Sequence, residues 1–301
     1  MASGSAQQEY AKHIIASCKA PLDGMKIVVD CACGASSATA PIIFKKLGAK
    51  VDFIAANPNG TNINFECGST DLGKLKKAVT DGAYDCGIAF DGDADRCLMV
   101  DENGETIDGD KIIGILAKKM KNDGTLRGGV VVTTMSNLGL LDFLRCNDID
   151  YKTTAVGDRY VLEQMREQDW NIGGEQSGHV ILLDHCTTGD GEITAVQMLM
   201  AIKESGLKAS EIGKEITRYP QVIINVEMSS GIKHLVVQMD EVKKMVKRIA
   251  ETFGEEGRIV VRPSGTEPLV RIMVEGKEPA LVEKAAKKAA EVVKVLSIKY
   301  G

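Results

Sequence analysis

The sequence predicts an α/β protein in which two consecutive α/β domains, with mixed or parallel sheets, precede a smaller α+β domain. Two observations support the first part: short apolar runs alternate with helical patterns, and this alternation starts again after Gly104. A third observation supports the last domain, because from Tyr219 the order changes to strand, helix, strand, strand, helix. The predicted domains are residues 7–105, 106–217 and 218–301, with residues 1–6 (MASGSA) set aside as a tag remnant.

The first predicted domain begins with a helix from about residue 7, and apolar runs of five or six residues follow at short intervals. Short apolar runs between helical patterns are typical of strands buried on both faces of a parallel sheet. The remaining elements are strand Lys26–Asp30, helix Thr39–Leu47, strand Lys50–Ala55, helix Asp71–Val79 and strand Asp85–Phe90.

The second predicted domain repeats the alternation with helix Lys111–Met120, strand Val130–Thr134, helix Leu138–Cys146, strand Tyr151–Val156 and helix Tyr160–Gln168. The third contains strand Val222–Met228, a helix, strands Arg258–Val261 and Leu269–Glu275, and helix Ala280–Leu296. Apolar residues at steps of three and four predict one amphipathic middle helix facing a sheet, with a stripe of Leu235, Met239, Val242, Val246, Ile249 and Phe253.

Composition excludes several classes of function. The chain of 301 residues carries 37 Lys and Arg against 42 Asp and Glu, and this net charge of -5 gives no electrostatic footprint for nucleic acid or acidic lipid. No apolar run approaches the length of a membrane span, and no signal-peptide core is present. The eight cysteines form no CxxC pair, so reduced thiols and a cytoplasmic location are expected.

An unusual concentration of negative charge lies in GIAFDGDADRCLMVDENGE, residues 87–105. Asp91, Asp93 and Asp95 stand on alternate residues between two strand-like runs, where they would repel one another unless a cation neutralised them. Three carboxylates suit Mg²⁺ better than zinc. Arg96 follows directly, within reach of a phosphoryl group at the metal or of the aspartates themselves.

Three other kinds of loop share part of this pattern of aspartates. A calcium EF-hand is disfavoured because Arg96 occupies the sixth position, where glycine is required. An aspartyl phosphatase would use Asp91 as nucleophile with Asp93 two residues on. A solvated acidic turn is disfavoured because the strands on both sides would bury it.

Two further loops combine glycine with polar side chains. In GGEQSGH, Glu175 and Ser177 can pair with donors and acceptors on a sugar ring. An ordinary turn with a helix-capping serine would have the same sequence pattern. In RPSGTEP, Arg262, Ser264 and Thr266 surround Gly265, an arrangement suited to an anion or to a tight turn between strands. Arg271 in the following strand would add a second guanidinium.

The ordered motifs FDGDADR, GGEQSGH and RPSGTEPLVRIMVEG resemble those of the alpha-D-phosphohexomutase superfamily over residues 7–300. TNINFECGST and VGDRYVLEQM are most similar to the branch that interconverts glucosamine 6-phosphate and glucosamine 1-phosphate in cell-wall precursor synthesis. The sequence departs from the usual pattern at Cys33, where asparagine is common, and at Asp71, where histidine is usual. A phosphomannomutase or phosphoglucomutase activity is the nearest alternative.

The resemblance implies a role for each motif. It implies Mg²⁺ on Asp91, Asp93 and Asp95, and a phosphoryl contact at Arg96. Sugar hydroxyls would contact Glu175 and Ser177, with His179 in the site wall, while the substrate's distal phosphate would be held by Arg262, Ser264, Gly265, Thr266 and Arg271.

The resemblance further implies a phosphoserine that passes its phosphoryl group to the sugar and regains one from the bisphosphate intermediate. No serine here has the TASHNP-type setting of that residue, so the expected partners are a hexose or hexosamine phosphate and an N-terminal phosphoserine domain. The chain alone is expected to be an inactive fragment. A non-catalytic module that binds sugar phosphates or a protein partner is the alternative, and a homo-oligomer is compatible with the sequence.

Overall fold

The computed structural model describes residues 3–265 and 267–300, and the chain divides into two compact units. Unit 1 comprises Met1–Ser136 and Leu140–Thr217, and unit 2 comprises Asn137–Gly139 and Arg218–Gly301. Unit 1 contains two separate mixed sheets flanked by helices, and unit 2 contains one smaller antiparallel sheet. This confirms the predicted fold class, while the division into three domains stays a prediction.

The first sheet of unit 1 has the strand order β2-β1-β3-β4-β5. Strands β2, β1 and β3 are parallel, and β4 and β5 continue the sheet antiparallel. One face packs under helix α3 through the buried side chains of Val28, Leu75, Val79, Ala89 and Val100. The elements are α1 (Ser3–Ser17), β1 (Lys26–Asp30), α2 (Ser36–Lys46), β2 (Lys50–Ile54), a 3₁₀ turn (Gly68–Thr70), α3 (Gly73–Gly82), β3 (Cys86–Phe90), β4 (Cys97–Asp101) and β5 (Thr106–Ile107).

The second sheet of unit 1 has the order β7-β6-β8-β9, with β9 antiparallel to the three parallel strands. Helix α6 covers one face, where Val131, Val161, Met165 and Ile181 form a buried cluster. The elements are α4 (Gly109–Asn122), β6 (Gly129–Thr133), α5 (Leu138–Cys146), β7 (Asp150–Thr154), α6 (Asp158–Gln168), β8 (Ile172–Gly174), β9 (Val180–Leu182), α7 (Gly191–Ser205) and α8 (Ala209–Lys214).

Unit 2 is an antiparallel sheet of order β10-β12-β11 packed on helices. Val270, Ile272 and Val274 alternate along the central strand and join a core with helices α10 and α11. Its elements are β10 (Gln221–Glu227), α9 (Lys233–Gln238), α10 (Asp240–Phe253), β11 (Gly257–Pro263), β12 (Leu269–Gly276) and α11 (Pro279–Tyr300).

The prediction of one continuous helix in unit 2 is wrong. Met239 has extended backbone torsions, with φ -65° and ψ 145°, and it separates α9 from α10. Val242, Ile249 and Phe253 are buried as predicted, but Leu235 is 54% exposed. The break turns α9 away from the stripe of α10 because an extended residue interrupts the helical repeat.

No helix within residues 3–265 and 267–300 combines the length and apolar character needed to cross a bilayer. All eight cysteines fall in the described residues and carry free thiols.

Candidate active site

The aspartate loop, residues 91–96, connects the antiparallel neighbours β3 and β4. All five residues of β3 are buried, so the loop starts from a strand fixed on both faces. The loop turns through Ala94, whose φ of 63° lies in the left-handed region, and the Ala94 amide donates to the Asp91 carbonyl at 3.1 Å. A second support comes from the Ala35 amide, which donates to the Gly92 carbonyl at 2.9 Å.

Asp91, Asp93 and Asp95 each offer one oxygen to a group whose atoms lie within 4.8 Å of one another. Asp91 is buried, Asp95 is half-buried and Asp93 is exposed, so the cluster opens to solvent on one side. Burial and then the neighbouring Asp95 and Asp93 raise the pKa of Asp91 to about 6, although the Arg96 amide opposes this shift.

The donor set fits a hard divalent cation. Three carboxylate oxygens converge, and Asp95 Oδ1 is buried without a hydrogen-bond partner among the described residues. Mg²⁺ binds through one or two such carboxylates and keeps several waters, which the exposed side at Asp93 allows. The donor set therefore fits Mg²⁺, and the binding of Mg²⁺ by these three aspartates stays a prediction.

Arg96 is tied to the loop at both its backbone and its side chain. Its amide donates to Asp91 Oδ1 at 3.1 Å, and its Nε lies 3.6 Å from Asp91 Oδ2 and 3.8 Å from Asp95 Oδ1. The side chain is still 42% exposed. Arg96 thus pairs with the aspartates while its side chain stays partly exposed, and its contact with a phosphoryl group stays a prediction.

The glycine-rich loop, residues 175–179, connects β8 to β9 and lies beside the aspartate loop within unit 1. Arg96 and His179 form an isolated antiparallel bridge, and the Cys97 amide donates to the Gly178 carbonyl at 3.0 Å. His179 Nε2 lies 3.6 Å from Asp95 Oδ2. The fold therefore brings the two predicted motifs, whose first residues are 83 positions apart in sequence, side by side.

The two predicted sugar ligands differ in their surroundings. Ser177 is exposed, whereas Glu175 is half-buried and its Oε1 accepts a hydrogen bond of 2.9 Å from the Gly157 amide. That contact orients the carboxylate from the VGDRY segment at the start of α6. Their binding of sugar hydroxyls stays a prediction.

Several supporting residues escaped the sequence analysis. The Gly109 amide, at the start of α4, donates to the Gln176 carbonyl, and a Cβ at Gly109 would lie 2.2 Å from the Glu175 carbonyl oxygen. Gln176 donates to Asp110 at 3.0 Å. His179 is 4% exposed, and a Cβ at Gly189 would lie 2.3 Å from its Nε2. Of these residues, only Gly189 had a sequence pattern that could have revealed it, the paired glycines of TGDGE at the start of α7.

The loop of unit 2, residues 264–268, joins β11 to β12, and the strand register pairs Arg262 with Arg271. Arg271 donates to Glu267 Oε2 at 3.1 Å and to Asn225 Oδ1 at 3.2 Å. Gly265 is exposed, whereas Ser264 is 4% exposed and its Oγ accepts from the Glu267 amide. Thr266, also predicted to bind phosphate, lies outside the described residues.

A buried lysine supports this loop from α9. Lys233 is 7% exposed, and its Nζ donates to the Ser264 carbonyl at 2.6 Å and to the Glu267 carbonyl at 3.0 Å. The ammonium thus joins both sides of the loop. No motif marked Lys233 in the sequence.

Three family models match the chain in order. Residues 8–104 match the phosphoglucomutase/phosphomannomutase alpha/beta/alpha domain II, residues 108–219 match alpha/beta/alpha domain III, and residues 223–292 match the C-terminal domain. The chain therefore belongs to the phosphoglucomutase/phosphomannomutase family.

Among curated proteins, the chain is similar to phosphoglucosamine mutases. It is 48% identical to that of Caldicellulosiruptor saccharolyticus over 287 residues, which is 95% of the chain and 64% of the relative. It is 47% identical to that of a Thermoanaerobacter species over 290 residues, 96% of the chain and 65% of the relative. The chain thus spans just under two thirds of the length of these relatives.

Solved structures share the fold. A phosphoglucomutase/phosphomannomutase family protein of Burkholderia thailandensis superimposes with a TM-score of 0.81 at 20% identity, covering 98% of this chain and 65% of that one. An Aspergillus fumigatus N-acetylphosphoglucosamine mutase, solved with GlcNAc-6P and magnesium, gives 0.79 at 19% identity, covering 96% and 70%.

Proposed function

We propose that this chain forms the metal-, sugar- and phosphate-binding part of a phosphoglucosamine mutase, which interconverts glucosamine 6-phosphate and glucosamine 1-phosphate. The observation that carries the proposal is the pairing of the two loops in unit 1, with His179 Nε2 3.6 Å from Asp95 Oδ2. Relatives named phosphoglucosamine mutase, at 45–48% identity, support this substrate over other hexose phosphates.

In this proposal Asp91, Asp93 and Asp95 hold Mg²⁺, because their oxygens converge and Asp95 Oδ1 is buried without a hydrogen bond among the described residues. Bound Mg²⁺ would supply positive charge that stabilises the phosphoryl oxygens during transfer. The exposed part of Arg96 adds a guanidinium for the same oxygens, and it is the catalytic residue we propose.

The glycine-rich loop orients the sugar. The Gly157 amide donates to Oε1 of Glu175, so Oε2 can accept a hydrogen bond from a sugar hydroxyl. The exposed Ser177 hydroxyl can donate or accept. His179 closes the wall next to Asp95. Holding the sugar ring in one orientation before the reaction reduces the loss of entropy on reaching the transition state.

In unit 2, Arg262 and Arg271 stand opposite each other on neighbouring strands, and Gly265 beside them is exposed, so an anion can approach its backbone. We propose that this loop, with Ser264 and Thr266, holds the phosphate that does not react. The phosphoserine would come from outside these 301 residues, and the free thiols favour a cytoplasmic location.

The test is a titration with Mn²⁺, followed by water-proton relaxation, of the wild type and Asp93→Asn. Loss of one charged ligand should weaken binding by about tenfold, or about 1.4 kcal/mol. Asp81→Asn, which removes an exposed carboxylate of α3, is the charge-matched control and should bind as the wild type does. Equal affinity of all three proteins would refute the metal site.

A further inference from the structure

Two cysteines lie in adjacent chain segments beside the aspartate loop. Cys33 lies in the turn after β1, and Cys67 lies directly before the 3₁₀ turn. Cys33 is one of the groups that raise the pKa of the Cys67 thiol, through its charge and its side chain, so the two sulfurs lie near each other. The cysteines are 34 positions apart in sequence, so only the fold brings them together.

The backbone around the two thiols is in close contact. The Asn64 amide donates to the Ala32 carbonyl at 2.9 Å, and Asn62 Nδ2 donates to Cys33 Sγ at 3.2 Å. A Cβ at Gly68 would lie 2.6 Å from Ala32 Cβ, so the chain neighbours of Cys33 and Cys67 are in van der Waals contact. A disulfide needs Cα atoms about 4.4–6.8 Å apart, so it can form only between segments that are in contact, as these two are.

We propose that Cys33 and Cys67 are a redox-active pair that closes into a reversible disulfide. With oxidised glutathione as oxidant, the Cys33 thiolate attacks one glutathione sulfur, forming a mixed disulfide and releasing one glutathione. Cys67 then loses its proton and attacks the Cys33 sulfur, releasing the second glutathione. Two electrons and two protons thus pass from the protein thiols to the oxidant.

The order of attack follows from the surroundings of the two thiols. Cys33 is half-buried and reachable, whereas Cys67 is 3% exposed. Burial, and then the negative charge of Asp30, raise the pKa of Cys67 to about 11. Since the thiolate is the nucleophile, Cys33 reacts first with an oxidant in solution and Cys67 resolves the product.

The bond would join two segments that both rest on the aspartate loop. A Cβ at Gly92 would lie 2.6 Å from Ile63 Cδ1, in the segment before Cys67. On the other side, the Ala35 amide donates to the Gly92 carbonyl. The disulfide would therefore join covalently the two segments that contact Gly92.

The experiment exposes the 301-residue chain to glutathione buffers of rising oxidised fraction, followed by alkylation, proteolysis and mass spectrometry. A Cys33–Cys67 linked peptide should exceed every other cysteine pair by about tenfold in the folded protein and should disappear with dithiothreitol. In urea this preference should be lost, because the pair is assembled by the fold.

Two variants sharpen the result. Cys33→Ser should abolish the link and leave Cys67 open to alkylation once the protein is unfolded. Cys146→Ser, which removes an exposed thiol, should leave the link unchanged. The proposal is overturned if Cys33 accumulates as a stable glutathione adduct with Cys67 free, if Cys33 links to Cys31 instead, or if both thiols stay reduced while Cys146 is oxidised.

Discussion

Replacing Glu192 by glutamine should change how the stability of unit 1 depends on pH. Glu192 lies in the first turn of α7 and is 1% exposed, and the Thr39 hydroxyl contacts its two oxygens at 3.0 and 2.8 Å. Asp190, two residues earlier, accepts a hydrogen bond from Tyr10. Burial, and then the charge of Asp190, raise the pKa of Glu192 from 4.5 to about 8.

The sign of the effect follows from linkage. Because the folded state holds the proton more tightly, the stabilisation is fully present below pH 4.5 and is lost as the pH rises toward 8. At about 1.36 kcal/mol per pKa unit the shift sets an upper limit on the order of 5 kcal/mol, and relaxation of the folded state reduces this to about 2–3 kcal/mol. Glutamine does not titrate, so Glu192→Gln should lack this loss.

The assay is urea unfolding at pH 5, 7 and 9, followed by the fluorescence of Trp170, the single tryptophan, which reports on unit 1. Relative to the wild type, Glu192→Gln should gain about 2–3 kcal/mol between pH 5 and pH 9. Glu167→Gln, at an exposed position on α6, should follow the wild type. Parallel stability curves for the wild type and Glu192→Gln would refute the reasoning, as would a carboxyl carbon NMR titration of Glu192 with a midpoint near 4.5.

Three further results are expected. Gly189→Ala should destabilise the protein by about 1–3 kcal/mol and shift the ring resonances of His179, because the new Cβ overlaps that ring, while Gly231→Ala, with open space around it, should do neither. Arg262→Ala should weaken binding of glucosamine 6-phosphate in calorimetry by about tenfold or more, whereas the exposed Arg248→Ala should not. The 301-residue chain alone should yield no glucosamine 1-phosphate in a coupled assay, with partial recovery when a phosphorylated N-terminal domain of a related mutase is added; robust turnover by the chain alone would contradict the proposal.

The sequence predicted the central strands well because their patterns are simple. β1, β3 and β6 are short apolar runs bounded by turn residues, and such runs are typical of strands buried on both faces of a sheet. Helix α5 was predicted with its observed bounds, Leu138–Cys146. The aspartate loop was predicted to lie between strands for the same reason, since the runs on both sides are apolar.

Other elements have no local sequence pattern that would predict them. Helix α7 is buried on nearly all sides, so its apolar residues form no stripe that would reveal a helix. Strands β8 and β9 have three residues each, too few to show alternation. The contacts of Glu192 with Thr39, and of Lys233 with the loop of unit 2, join distant positions, and no local pattern encodes them.

The buried ammonium of Lys233 has a consequence for the entropy of ligand binding. It donates to the carbonyls of Ser264 and Glu267, so it fixes the backbone of the unit 2 loop at these two residues. Immobilising a flexible side chain at a binding site opposes association by about 0.5–1.5 kcal/mol, and a mobile loop adds to that. Here much of the loop's conformational freedom is lost when unit 2 folds, before any anion arrives. An anion would therefore meet a surface that is already shaped, and its affinity would depend mainly on charge and hydrogen bonding.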